Sequence, residues 1–195
     1  MTFYIHEKKS IQKSTRDTPM RTIIQFLFLS TYLLSQDTND PCPLSEHLMP
    51  FAPYLGKTFK GKFAHSTPEK PVYDISHWER ALNGNAIRIL HSVNNGEYGG
   101  ESIIMWDTER ESLASWYFTT AGFYTMATFE FDGKRLIGLE DVSGNQNGIT
   151  KVKTIIQLLP DGKLQNRSKY LMNNTWVDGH EIYYQESPGS MVVFK

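Results

Sequence analysis

The chain has 195 residues and a formal net charge of −1, which gives room for one domain of ordinary size and no basic footprint for nucleic acid. Its single cysteine, Cys42, excludes an intrachain disulfide framework and a cysteine-built zinc site. Aromatic residues make up 13% beside 14 glycines, a balance suited to short strands and tight turns.

Residues 23–34, IIQFLFLSTYLL, form the first feature along the chain. This apolar run is too short to span a bilayer comfortably and has the length of a secretory signal core. Met20 and Arg21 stand directly before it and supply a start and a positive charge. The expectation is that translation begins at Met20 and that residues 1–35 form an extension plus leader, cleaved near Ser35 or Gln36. The product would then be periplasmic or secreted, with no stable membrane span. A buried helix or a retained anchor is the alternative reading. The leader holds five basic and two acidic residues, so the remainder carries a net −4, unsuited to anionic membranes. Cys42 lacks the Leu-x-Ala/Gly context of a lipoprotein signal.

Residues 36–53 are polar and Pro-rich and read as a linker, with one helical turn over Leu44–Met49. The barrel domain is placed at 54–195. Turn signals there recur at Asn83-Gly84, Asn95-Gly96, Asp107–Glu111, Ala121-Gly122, Asp132-Gly133, Ser143–Gly148, Asp161-Gly162 and Asn173-Asn174. β-rich segments fill the intervals, and no convincing long amphipathic helix interrupts them. The prediction is an all-β fold of about ten strands: 57–64, 72–82, 86–93, 97–106, 112–120, 123–131, 134–142, 149–158, 163–171 and 175–186. Evenly spaced hairpins make an antiparallel up-and-down meander, and closure into a barrel removes its edges.

Turns fix the register, and the register decides the interior. A two-residue turn at Asn83-Gly84 pairs Leu82 with Asn85, Arg80 with Ile87, Glu79 with Arg88 and Trp78 with Ile89. A three-residue loop would set Arg80 against Arg88, a like-charge pair that costs a few tenths of a kcal/mol. The two-residue reading also gathers Trp78, Leu82, Ile87 and Ile89 on one face. Through Asn95-Gly96 the inner face continues: Ile87 meets Ile104, Ile89 meets Ser102, His91 meets Gly100 and Val93 meets Tyr98. Glu79, Arg88 and Glu101 fall on the wet face.

The Asp132-Gly133 turn pairs Glu130 with Arg135 and turns Phe129, Phe131 and Leu136 inward. Through Ala121-Gly122 the same face takes Thr125, Phe123, Phe118 and Trp116. Joining this face to the earlier strands requires an odd residue in the Asp107–Glu111 connection, or a bulge.

The polar residues on the expected inner face are Arg80 and His91. Arg80 is read either as a rim residue, or a partner of an internal carboxylate such as Glu140, or as an anchor for a ligand carboxylate or phosphate. His91 is read as a hydrogen-bonded core residue or as a ligand contact. Candidate ligand-binding residues are Arg80, His91, Trp78, Tyr98, Trp116, Phe118 and Phe129. Asp178-x-His180 would put an acid and a base on one strand face, shared with Trp176, Ile182 and Tyr184. His77 and Glu79 face solvent. No nucleophile elbow, phosphate loop, dinucleotide fingerprint or metalloprotease motif is present, and no metal site or cofactor is predicted.

The segment from Tyr54 through Gly56-Lys-Thr-Phe59 to Phe63 resembles the opening strand of lipocalin-like proteins, with Phe in place of the Trp of their Gly-x-Trp motif. WERALNG (78–84), YGGESIIMWD (98–107) and TTAGFY (119–124) are similar to segments of a bacterial family of lipocalin-like, calycin-type barrels with no assigned function. The likeness spans about 50–186 and implies fold rather than activity. Fatty-acid-binding proteins and haem-binding nitrobindins are more distant relatives of the architecture. No haem-ligand motif matches, so haem follows from fold analogy only.

Three functions are thus open. One is an exported barrel binding a small hydrophobic or amphipathic molecule. Another is a cyclase, isomerase or hydrolase using His91, His180 and Asp178. The third is a barrel filled by its own side chains, with a structural role in the envelope. The sequence does not specify an oligomeric state.

Overall fold

Regular turn chemistry produces ten strands that close on themselves. The computed structural model describes residues 43–142 and 147–195. The strands are β1 (Lys57–Phe63), β2 (Tyr73–Ala81), β3 (Ala86–Val93), β4 (Tyr98–Asp107), β5 (Ser112–Thr119), β6 (Tyr124–Asp132), β7 (Arg135–Asp141), β8 (Ile149–Leu158), β9 (Leu164–Met172) and β10 (Thr175–Glu186). Each pairs antiparallel with its sequence neighbours, and β1 pairs with β10 to complete the barrel. The predicted fold class holds. The expected leader and Cys42 lie outside the described residues.

The first two registers are as expected. Trp78 faces Ile89 and Glu79 faces Arg88, while His91 faces Gly100 and Val93 faces Tyr98. Arg88 explains why this register is firm. Its Nε donates to Glu101 Oε1 at 2.8 Å and its Nη1 to Glu79 Oε1 at 2.9 Å, so one guanidinium ties three strands on the outer face. The β2–β3 turn is longer than expected. Asn85 N–H donates to Leu82 O, and Leu82, Asn83 and Gly84 all have positive φ.

The later registers correct the sequence reading. The β5–β6 connection is a three-residue loop: Thr119 N–H donates to Phe123 O, Gly122 N–H donates to Thr119 O, and Gly122 has φ +83°. This is a turn followed by a left-handed glycine. Trp116 therefore faces Met126 and Tyr117 faces Thr125. One residue of slip turns every β5 side chain over. Trp116, Phe118 and Phe123 do not line the interior, and Phe118 is 49% exposed. Leu113, Ser115 and Tyr117 take the inner positions. The odd residue thus sits at 120–122 and not in the Asp107–Glu111 connection, where Asp107 pairs with Ser112. At the next turn Asp132 pairs with Arg135 and Glu130 with Ile137. That is two residues from the expected pairing, so the inward choice of Phe129 and Leu136 survives.

The predicted helical turn is a longer 3-10 helix, Glu46–Tyr54. It is no linker, since Leu48, Phe51 and Tyr54 are among the most buried residues. Tyr54 stacks on Trp78 at 5.0 Å and Phe51 meets Phe131 edge-on at 5.0 Å. This closing helix seals the Trp78 end, and the core with Phe59, Ile87, Ile104, Leu136 and Leu164 lies beneath it. Among the described residues the helix Glu46–Tyr54 packs into the same core as the strands.

Candidate functional site

Inside the barrel is a half-open cavity of about 420 Å³. Toward the closing helix its walls are Trp78, Ile104, Leu136 and Ile156. Elsewhere polar and apolar side chains are mixed, and five of the polar ones are joined into one row. Asp74, only 3% exposed, accepts a hydrogen bond from Tyr184 OH at 2.7 Å on Oδ2. Its Oδ1 lies 2.9 Å from His91 Nδ1. His91 Nε2 lies 2.6 Å from the Tyr117 hydroxyl, which is 3.1 Å from that of Tyr98.

Two glycines make this row possible. Gly61 of β1 is paired with Tyr184 on one side and Asp74 on the other. A Cβ there would lie 2.7 Å from Tyr184 Cδ1 and 2.5 Å from Ile182 Cγ2. Without one, the Tyr184 ring lies across β1 and its hydroxyl reaches Asp74. Gly100 of β4 repeats the arrangement between His91 and β5, and its Cβ would lie 2.5 Å from Tyr117 Cε2. The space expected beside His91 is real, and Tyr117 fills it.

Burial in the barrel pushes the Tyr117 and Tyr184 hydroxyls above the ordinary tyrosine range, and the Asp74 charge adds to this in both. Both tyrosines therefore stay protonated and act as donors. With Asp74 ionised, Nδ1–H of His91 donates to it and Nε2 accepts from Tyr117. If His91 gains a proton, Nε2–H donates to the Tyr117 oxygen, and Tyr117 turns its own proton to Tyr98. The row can take up a proton without moving a heavy atom.

The cavity is also lined by His180 on β10, the strand of Tyr184, and by Glu140 on β7. A β-bulge between Asp178 and Glu181 shifts the β9–β10 register. It sends His180 inward and leaves Asp178 outside, 3.1 Å from Lys169. The expected Asp178–His180 pair is thus broken, and Trp176 goes outward with Asp178, 41% exposed. His180 Nδ1 lies 3.0 Å from both Ser168 Oγ and Tyr170 OH. Burial against the wall holds its pKa below the ordinary value, partly offset by Asp74. His180 still keeps accessible surface, which places it where the cavity opens. Burial likewise raises the Glu140 carboxyl, against a hydrogen bond from Thr125.

Of the expected ligand contacts, His91, Trp78, Tyr98 and Phe129 line this cavity; Arg80, Trp116 and Phe118 do not. Arg80 has inward parity but lies past the wall and is exposed. Asp74, Tyr117, Tyr184 and Glu140 complete the site. Parity carried back from Trp78 finds Asp74, four residues earlier on β2. Among the described residues no three potential metal ligands converge on one point. As an axial ligand for the haem of the fold analogy, His91 does not fit because both ring nitrogens are engaged. Of the two histidines lining the cavity, His180 is hydrogen-bonded through Nδ1 and not through Nε2.

A larger hollow, about 580 Å³, lies beside the start of the β5–β6 ladder, against the closing helix. There His47 stacks on Trp106 at 3.6 Å. Its polar lining residues are not joined into a row, and the interior cavity is the one that holds the linked polar groups. Compared with protein-family models and with curated proteins, the sequence matches none. The closed ten-stranded barrel is consistent with the lipocalin-like architecture that the strand motifs resemble.

Proposed function

We propose that this barrel binds a small amphipathic molecule inside its cavity and works outside the cytoplasm. The observation that carries the reading is the divided interior: a space of about 420 Å³ with an apolar end under the closing helix and a polar row beyond it. Ligand pockets of a few hundred Å³ combine apolar walls with a few placed polar groups in this way. A barrel filled by its own side chains would leave no such space. The apolar run at 23–34, preceded by Arg21, supports the exported destination.

Native mass spectrometry on protein purified from its own host tests the reading. A copurifying small molecule, lost on Trp78→Ala, is expected. A clean apo mass that gains nothing from lipid extracts would refute it.

The Asp74–His91–Tyr117 alignment favours a second reading, acid–base catalysis on the bound molecule. Aspartate orients the imidazole, and the imidazole can exchange a proton with the tyrosine at the cavity surface. It replaces the Asp178–His180 pair as the candidate set. A captured ligand should then be converted on incubation with the native protein, read by chromatographic retention and fragmentation as well as by mass because isomerisation leaves the mass unchanged, and stay unconverted with His91→Gln. No change in retention, fragmentation or mass with either protein would remove the catalytic reading and leave the binding one.

A further inference from the structure

We infer that the interior site selects a cationic head group, a protonated amine carried on an apolar body, with Glu140 as its counter-charge. This rests on the cavity being a binding site. The residues lining it include two carboxylates, Asp74 and Glu140, and no lysine or arginine. A carboxylate or phosphate ligand would shed its water there with no lysine or arginine to meet it, which is costly for a buried charge. Arg80, the one residue that sequence parity offered as an anion clamp, is outside.

The two carboxylates are in different states of use. Asp74 is engaged on both oxygens, by His91 and by Tyr184. Glu140 takes part in no ion pair among the described residues. Its hydrogen-bond partner is the neutral Thr125 hydroxyl, and burial disfavours its charge. A half-buried carboxylate that lines the cavity without a counter-ion gains from a cation brought in by a ligand.

Strand pairing sets the surroundings of that cation. Glu140 pairs with Ala127, and Thr125 pairs with Tyr117, so Glu140 flanks the tyrosine end of the polar row. Ring faces beside an ammonium add a further attraction. The apolar body then has one direction to run, toward Trp78, Ile104, Leu136 and Ile156 under the closing helix.

Calorimetry on the full chain at about pH 7.5, where an alkylamine is protonated as lysine is, tests this with octylamine, octanol and octanoate. Octylamine is expected to bind about tenfold or more tighter than octanol, and octanoate more weakly than octanol. Glu140→Gln should bring octylamine down to the level of octanol and leave octanol unchanged. The order of the three probes in the unaltered protein stands as evidence independent of that variant's folding. Octanoate binding as well as octylamine, or an amine preference that survives Glu140→Gln, would overturn the inference while the cavity remains a binding site. Failure of all three probes, octanol included, would overturn the cavity reading and the inference with it.

Discussion

Replacing Gly61 by alanine adds one methyl group, and the geometry says where it goes. The new Cβ would lie 2.5 Å from Ile182 Cγ2 and 2.7 Å from Tyr184 Cδ1. Neither neighbour can yield freely, since Ile182 and Tyr184 are 2% and 4% exposed. Overpacking of this kind costs about 1–3 kcal/mol. Alanine recovers about 0.4–1 kcal/mol by restricting the unfolded chain. If the Tyr184 ring is pushed aside, its bond to Asp74 is lost as well, worth about 1.5–3 kcal/mol for a charged acceptor. The expected total is a loss of roughly 2–5 kcal/mol. Urea unfolding followed by tryptophan fluorescence reads it, and a double-mutant cycle with Tyr184→Phe separates the parts. In the Tyr184→Phe background the hydrogen bond is already gone, so Gly61→Ala should cost less by about 1.5 kcal/mol or more. A stable Gly61→Ala protein, or strict additivity with Tyr184→Phe, would refute the account of a ring laid over a glycine.

Asp74→Asn removes the charge that both donors converge on and should cost about 2–3 kcal/mol; an unchanged urea midpoint would mean that Asp74 is not the acceptor described. Glu140 titrates at higher pH in the folded than in the unfolded state, so the folded state holds the extra proton and stability falls as pH rises above about 4.5. Glu140→Gln should therefore stabilise the apo protein at neutral pH, with a gain that shrinks toward pH 4.5. His180 behaves the other way: its folded pKa is depressed, so the unfolded chain binds more protons and stability drops as pH falls below about 6.5. His180→Gln should flatten that part of the stability profile. Arg88→Met breaks the Glu79–Arg88–Glu101 bridge on a partly exposed face and should cost under about 1 kcal/mol, less at high salt.

Strand number, closure and the inner faces of β2, β3 and β4 were legible because short-range signals agreed there. Asn-Gly turns set the spacing, and Glu79, Arg88 and Glu101 selected the same pairing. The inner face of β5 was not legible. Ala121-Gly122 reads equally as a two-residue turn or as the end of a three-residue loop, and parity differs between them. The bulge at Gly179 likewise leaves no mark beyond a glycine, yet it separates Asp178 from His180. Arg80 has inward parity, but parity alone does not say where the wall ends. Asp74 lay within reach of the same parity argument. Its partner did not, because Tyr184 is 110 residues away and joins it only through β1.

That last bond has a kinetic meaning. Nine strand pairings connect neighbours in the chain, each able to form from its own turn, and the β1–β10 seam is the one exception. Contacts distant in sequence bear the loop-closure entropy and are slow to form. The Tyr184–Asp74 hydrogen bond reaches across this seam, so it forms only when the two ends of the sheet meet. A chain with every hairpin made but the seam open would have native-like strands and no enclosed cavity. The Tyr184 hydroxyl is therefore a built-in reporter of the final step, in which the seam closes and the cavity first takes shape.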